Sequence, residues 1–529
     1  MMRTSKSLFE TGGADIYSLG FADHFITGHQ IADLVQSGLA PPAFALASDP
    51  AARSGLAAGE IAVSDFTPDG AVTTPVPSAT LASAADTGEL RLIFGGLPAA
   101  GLGAASGDFS LMSSVAIGAD LGKLQFGLAE LFIESQSALS LSALDPETAM
   151  AGFQSQNELA PIFSGFVAID AIAADGDGAA LLERLEGLGL KGGMAFGAMV
   201  GGYIPLDSLD ELAALDTLKA ARPAYMITNA GAVHSQDDPA MRTDDLRAGY
   251  DGLDGSGLRI GILSDSFDTR TVAATHYSDN VASGDLPAGV HILLDSATPG
   301  TDEGRGMAEL IYDVAPGVAM SFHTANGGQA VFAAGIAALA ADGADVIVDD
   351  VIYFAEPFFQ DGIVAQAVDA VVGAGVTYFS SAGNSGSRSY QSAFVNSGQT
   401  ITVNGTTYQL HDFDTGATVD TAQQVRQIGS VSYILQWDQP FFSVSPGSGG
   451  SANDLALIIR SATTGAVLFI SDVNNLSGDP IEIVGLNSTG VAALSVSIGL
   501  KSGAQPGLIK YVMLGGDSVV DEYATRSPT

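Results

Sequence analysis

The sequence has no cysteine, which excludes disulfides, a thiolate nucleophile and cysteine metal sites together. Bases are scarce as well: 20 Lys and Arg stand against 59 Asp and Glu, for a net charge of −39 and a pI of about 4.1. A surface that negative repels nucleic acid and anionic lipid, so neither is expected as a partner. No apolar run of about 18 residues is free of charge and of Gly or Pro, so no spanning helix is expected. The opening residues, Met1-Met-Arg-Thr-Ser-Lys-Ser-Leu-Phe-Glu10, lack the apolar stretch of a cleavable signal peptide. What is present is enough for folding. Hydrophobic residues make up 47% and mean hydropathy is +0.29, which excludes a disordered chain, and 529 residues suit about three domains.

The chain changes character three times. Residues 1–155 are rich in Ala, Gly and Ser with no lasting period, and no function is read there. Residues 160–228 read as a small α+β module. Phe166–Ile172 is a strand and Ala179–Leu188 a helix with leucines at 181, 182, 185 and 188 on one face. Met194–Tyr203 reads as one further strand, followed by a capped helix after Pro205 and a strand from Leu218. From 245 to 390 near-continuous apolar strands alternate with amphipathic helices, the pattern of a doubly wound α/β sheet that is parallel and covered on both faces. The expected strands are Leu258–Leu263, Ala319–His323, Val346–Asp349 and Val376–Ser380, and in such sheets a site lies beyond the strands' carboxyl ends. Residues 391–515 turn to period-2 alternation with Gly, Asn and Asp turns, as in Asn404-Gly405 and Ser477-Gly478-Asp479, which predicts a β-sandwich of seven short strands.

Three segments carry chemistry. Leu258-Arg-Ile-Gly-Ile-Leu-Ser-Asp-Ser-Phe-Asp268 is an apolar strand ending in acids. Pro299-Gly-Thr-Asp-Glu-Gly-Arg-Gly306 opens a helix that stops at Ala315-Pro316-Gly317. Tyr378-Phe-Ser-Ser-Ala-Gly-Asn-Ser-Gly386 ends a later strand on an Asn. This order resembles the subtilisin/sedolisin superfamily of serine peptidases over residues 245–390, and more loosely over 160–244. The resemblance implies a subtilisin-like sheet, a propeptide-like role for 160–228, and a catalytic set of Asp265, Glu303 and Asn384. Asp265 would orient the base, Glu303 would be the base where subtilisins carry His, and Asn384 would hold the oxyanion. Glu303 stands twelve residues before Ala315, as the sedolisin Glu does, but position 307 is Met where sedolisins have Asp. Asn384 is the subtilisin choice.

The nucleophile segment of the family, Gly-Thr-Ser followed by Pro, does not occur in the 529 residues. The expectation is therefore an N-terminal portion of an exported serine endopeptidase with an extracellular or cell-surface location, acting on protein or peptide substrates. The alternative is a non-catalytic binding or surface protein on the same scaffold. Asp350 and His323 are the expected substrate-binding residues, Asp350 because adjacent acids on a strand point to opposite faces and Asp349 is assigned the structural side. Each residue also has a plainer role available. Asp265 and Asn384 suit turns, Glu303 suits a helix N-terminus, and a lone His at a strand end suits a buried hydrogen bond. No cofactor is required by this chemistry. Calcium is possible on Asp438, Asp454, Asp472 and Asp479, although no loop has EF-hand spacing.

Overall fold

The structure is a computed structural model, and it describes residues 16–18, 25–27, 90–94, 97–98, 121–141, 145–155, 157, 160–227, 240–250, 253–272 and 275–525. The chain divides into two compact units, Met1–Ala85 and Asp86–Thr529. In the first, β1 (Ile16–Ser18) and β2 (Phe25–Thr27) pair antiparallel. All that follows concerns the second. The clustered Gly, Ser, Asp and Pro between Asn229 and Thr243 predict a cleavable linker, a segment that lies largely outside the described residues.

Two short strands open the second unit, β3 (Leu90–Phe94) and β4 (Leu97–Pro98). Helices α1 (Leu128–Leu141) and α2 (Pro146–Ala151) follow, the latter capped by Asp145 on Thr148 N at 3.0 Å with Pro at its first turn. Then come β5 (Phe166–Ala173), α3 (Gly178–Gly187), β6 (Lys191–Phe196), β7 (Met199–Pro205), α4 (Leu209–Ala214) and β8 (Leu218–Pro223). They form an antiparallel sheet in the order β6-β7-β5-β8. The segment read as one strand from 194 to 203 is a hairpin, because Gly197 takes a positive φ of 57° and turns the chain. The boundary expected at 155 also moves. Leu124, Leu128, Leu131 and Phe132 share one core with Ile169, Leu181 and Leu212, and Gln125 N bonds Ala221 O at 2.8 Å.

The central layer begins after β9 (Met226–Ile227) and α5 (Thr243–Gly249). In order it contains β10 (Arg259–Ser264), α6 (Tyr277–Ser283), β11 (His291–Leu294), α7 (Glu303–Val314) and β12 (Ala319–Thr324). It continues through α8 (Gln329–Ala341), β13 (Val346–Asp349), β14 (Ile352–Tyr353), α9 (Ile363–Gly373) and β15 (Thr377–Ser380). Five of these strands make an all-parallel sheet in the order β11-β12-β10-β13-β15. Mixed α/β architecture with a parallel sheet is thus present. Ile260, Ile262, Met320 and Phe322 face α6 and α7, whereas Leu263 and Ile347 face α8 and α9.

This division fixes the hand of each crossover. β11 to β12, β12 to β13 and β13 to β15 all step the same way across the sheet, yet α7 lies on one face and α8 and α9 on the other. Three of the four crossovers share one hand, and β11-α7-β12 has the opposite one. Since about 98% of such connections are right-handed, the odd one is the left-handed exception. It brings the start of α7 against the carboxyl end of β10.

After β15 the chain enters an antiparallel sheet. Its strands are β16 (Ser389–Ala393), β17 (Asn396–Val403), β18 (Thr406–His411), β19 (Gln423–Trp437) and β20 (Asp454–Ser461). They are followed by β21 (Val467–Ser471), β22 (Ile481–Ser502), β23 (Leu508–Leu514) and β24 (Asp517–Val520). Nine strands of one hydrogen-bonded sheet stand where a sandwich of seven short strands was expected: β16, β23 and β24 are additional, β22 runs 22 residues and takes in two of the expected strands, and β19 runs 15, both bending where their register shifts at Gln427/Gly429. Odd residues of β19, among them Tyr433, Leu435 and Trp437, fill one core, while Ile434 packs on the core of the preceding module. β3 and β4, from the region left without a role, pair with β22 and β21. Residues after β24 return to β16, where Thr525 N bonds Ser389 O at 2.9 Å. Entry to and exit from this sheet therefore lie side by side. No described helix is long and apolar enough to cross a membrane.

Candidate active site

Connections leave the carboxyl ends of β10 and of its neighbours β12 and β13 toward opposite faces, which makes the end of β10 the topological switch point. Asp265 and Glu303 meet there. Asp265 directly follows β10 and is 4% exposed, and Glu303 is the first residue of α7 and is 6% exposed. The approach is close because glycines allow it. A Cβ on Gly304 would stand 2.2 Å from the Phe322 ring, and one on Gly300 would stand 2.2 Å from Ser266 Oγ.

The Asp265 carboxylate is saturated with donors. Oδ1 accepts from Ser266 N at 2.6 Å and from Glu303 N at 3.2 Å, and Oδ2 accepts from Thr301 N and from Thr301 Oγ1 at 2.8 Å. It thereby caps the N-terminus of α7 from another strand, where the helix dipole favours an anion. The Glu303 carboxylate lies beside it and accepts from the Ser264 hydroxyl at 2.8 Å. Ser264 points to the α7 face because the strand alternates with Leu263. It is fully buried, so it holds Glu303 rather than meeting a substrate.

Around this pair the loops are tied by two further acids. Asp302, at φ 61°, accepts from Thr269 N at 2.8 Å and Arg270 N at 3.0 Å. Asp295 accepts from Phe267 N at 2.9 Å and Asp268 N at 3.1 Å, and burial raises its pKa. Arg305 is wholly engaged within the fold. Its Nε donates to Phe267 O at 3.0 Å, Nη1 to Asn280 Oδ1 at 2.5 Å, and Nη2 to Asp302 Oδ2 at 3.2 Å. Ser264, Ser266, Thr301, Asp302 and Asp295 were assigned no role from sequence. The one available signal was the Ser-Asp-Ser alternation around 265.

The other expected residues do not join this pair. Asn384 is exposed in the turn four residues past β15, and β15 lies two strands from β10, roughly 10 Å across the sheet. His323 is 3% exposed on the opposite face, against Gly335 of α8, with Nδ1 bonded to Thr324 O at 2.7 Å. Burial lowers its pKa, and it presents nothing to a cleft. Asp349 is buried at the end of β13, bonded by Ser380 Oγ at 3.0 Å, and burial pushes its carboxyl up to about 6. Asp350 beside it is half-exposed, the more open of the two acids.

On the α7 side of the sheet, the end nearest β15 is uncovered. Phe379 is 61% exposed, and Leu310 on α7 is 45% exposed. Among the described residues no group of three or more His, Asp or Glu stands at metal-ligand spacing. Comparison of the sequence with protein-family models and with curated proteins finds no match to either.

Proposed function

We propose that residues 245–390 are the core of a serine-type endopeptidase of the subtilisin/sedolisin superfamily, exported to act on protein or peptide substrates outside the cell. Glu303 serves as the base and Asp265 holds the start of its helix in place. The observation that carries this reading is the convergence of Asp265 and Glu303, 38 residues apart, at the switch point, with Glu303 N on Asp265 and its carboxylate on Ser264. A carboxylate base with an ordinary pKa near 4.3 is ionised down to mildly acid pH, and the sedolisin resemblance carries the expectation that the reaction runs best in acid. Two features bear on the nucleophile. The uncovered sheet face beside Phe379 leaves room for a further element over the site. Thr525 returns to Ser389 at the start of β16, nine residues past the end of β15.

A second reading is favoured by the saturation of Asp265. Five donors occupy its carboxylate, as suits a structural cap in a non-catalytic binding scaffold. One experiment separates the two. The 529-residue chain should leave casein intact in acid and at neutral pH. A version carrying whatever the coding sequence supplies past Thr529 should cleave it, most strongly in acid, and lose that activity with Glu303→Gln. Inertness of the longer version, or cleavage that survives Glu303→Gln, overturns the peptidase reading and leaves the scaffold.

A further inference from the structure

One corner of the antiparallel sheet collects oxygen acceptors without enough donors. Asp454 opens β20, Asp472 follows β21, Glu482 is the second residue of β22, and Lys501 is near its end. Glu482 is fully buried. One of its oxygens takes the Ser471 hydroxyl, and the other, Oε1, has no hydrogen-bond partner. Asn475 is 2% exposed and gives its amide hydrogens to Asp479 O at 3.1 Å and Ile481 O at 2.9 Å, while its carbonyl Oδ1 is also unpartnered. The backbone N of Asn475 bonds Asp454 Oδ1 at 3.2 Å, so the side chain leaves from the same corner. Asp472 accepts from Tyr408 OH at 2.7 Å. One cation answers three carboxylates: Lys501 Nζ lies 2.8 Å from Asp472 Oδ1 and 3.4 Å from Asp454 Oδ2.

Buried acceptors without donors are costly, and a cation is the group that satisfies several at once. The donor set is all oxygen, from carboxylates and one amide, which suits a hard ion of flexible geometry and not a thiophilic or imidazole-seeking metal. We propose that Asp454, Asp472, Glu482 and the Asn475 carbonyl form a calcium-type site, in which Lys501 is the resident counter-ion that the metal displaces.

The full chain titrated with calcium chloride at pH 7 should bind with a Kd of about 0.1–1 mM, the range of extracellular modules. Glu482→Gln should weaken binding at least about tenfold, the worth of one ligand charge in a partly buried site. Lys501→Met supplies a check that misfolding cannot imitate. It should melt lower than wild type in EDTA, recover in calcium, and bind calcium about tenfold more tightly because the rival cation is gone. Absence of heat and of any melting shift up to about 10 mM calcium, well above that range, overturns the proposal. So does a shift that persists unchanged in Glu482→Gln, which would place the ion elsewhere on the acidic surface. Stabilisation by acid alone also overturns it, because a protonated Glu482 bonded to Asn475 Oδ1 would then suffice.

Discussion

Glu356 follows β14 in a loop beside the carboxyl edge of the parallel sheet. Burial, with Asp349 and Asp170 close by, pushes its carboxyl up to about 8, and Asp349 itself is pushed to about 6. Both groups keep their protons in the folded state at pH values where the unfolded chain loses them. From about 4.5, the ordinary Glu value, up to 8, ionisation of the unfolded chain therefore draws stability away. The melting temperature should fall across that window as pH rises. Glu356→Gln should flatten the fall and raise the melting temperature at pH 8, as scanning calorimetry would read directly. An unchanged slope in the variant would exclude Glu356 as the source. Asp349 ends β13 and is buried, while Asp350, just past the strand, is half-exposed. That Glu356 would lie near Asp349 and Asp170 was not legible, because Asp170 is 186 residues earlier and comes from another layer.

The elements are joined by buried polar ties. Asp170 on β5 accepts from Gln329 N at 2.9 Å and Gln329 Nε2 at 2.8 Å, capping α8 of the parallel layer. Arg222 on β8 is 2% exposed and links the module to the antiparallel sheet through Asp479 at 3.0 Å, with Asp170 3.9 Å away. β9 pairs with β14, tying the module's tail to the central layer. The module's sheet packs on α8, and these ties are buried. Removing Arg222 leaves two buried carboxylates unanswered, and Arg222→Met should cost about 3–5 kcal/mol in urea unfolding. A protease should cut first between Asn229 and Thr243. The two fragments should nonetheless run together on a sizing column at neutral pH. Separation without denaturant would instead favour a releasable propeptide.

For the whole molecule, a net charge of −39 sets up self-repulsion that salt screens. Melting should therefore shift upward between about 0.01 and 0.15 M sodium chloride, as the screening length falls from about 30 to 8 Å. No shift would mean that the acids are already neutralised in place. The strands and helices of 245–390 were largely legible because burial imposes a period on each, and β10, β12, β13 and β15 lie within a residue or so of where that period puts them. β11 and α6 escaped: His-Ile-Leu-Leu lacks the β-branched run of β13, and Tyr-Ser-Asp-Asn-Val-Ala-Ser has too few apolar residues to mark a helical period. The sequence by itself determined which segments are strands and helices, the acidic surface, and the presence of an acid after β10 and another opening α7. Only the tertiary structure decided that these two acids meet, that Asp265 is consumed by capping and that His323 turns away. It also decided that β3 and β4 join a sheet formed much later in the chain, and that α1 packs on the module that follows it. Local propensity acts over a few residues, whereas sheet order and a left-handed crossover are settled by which faces can be buried together.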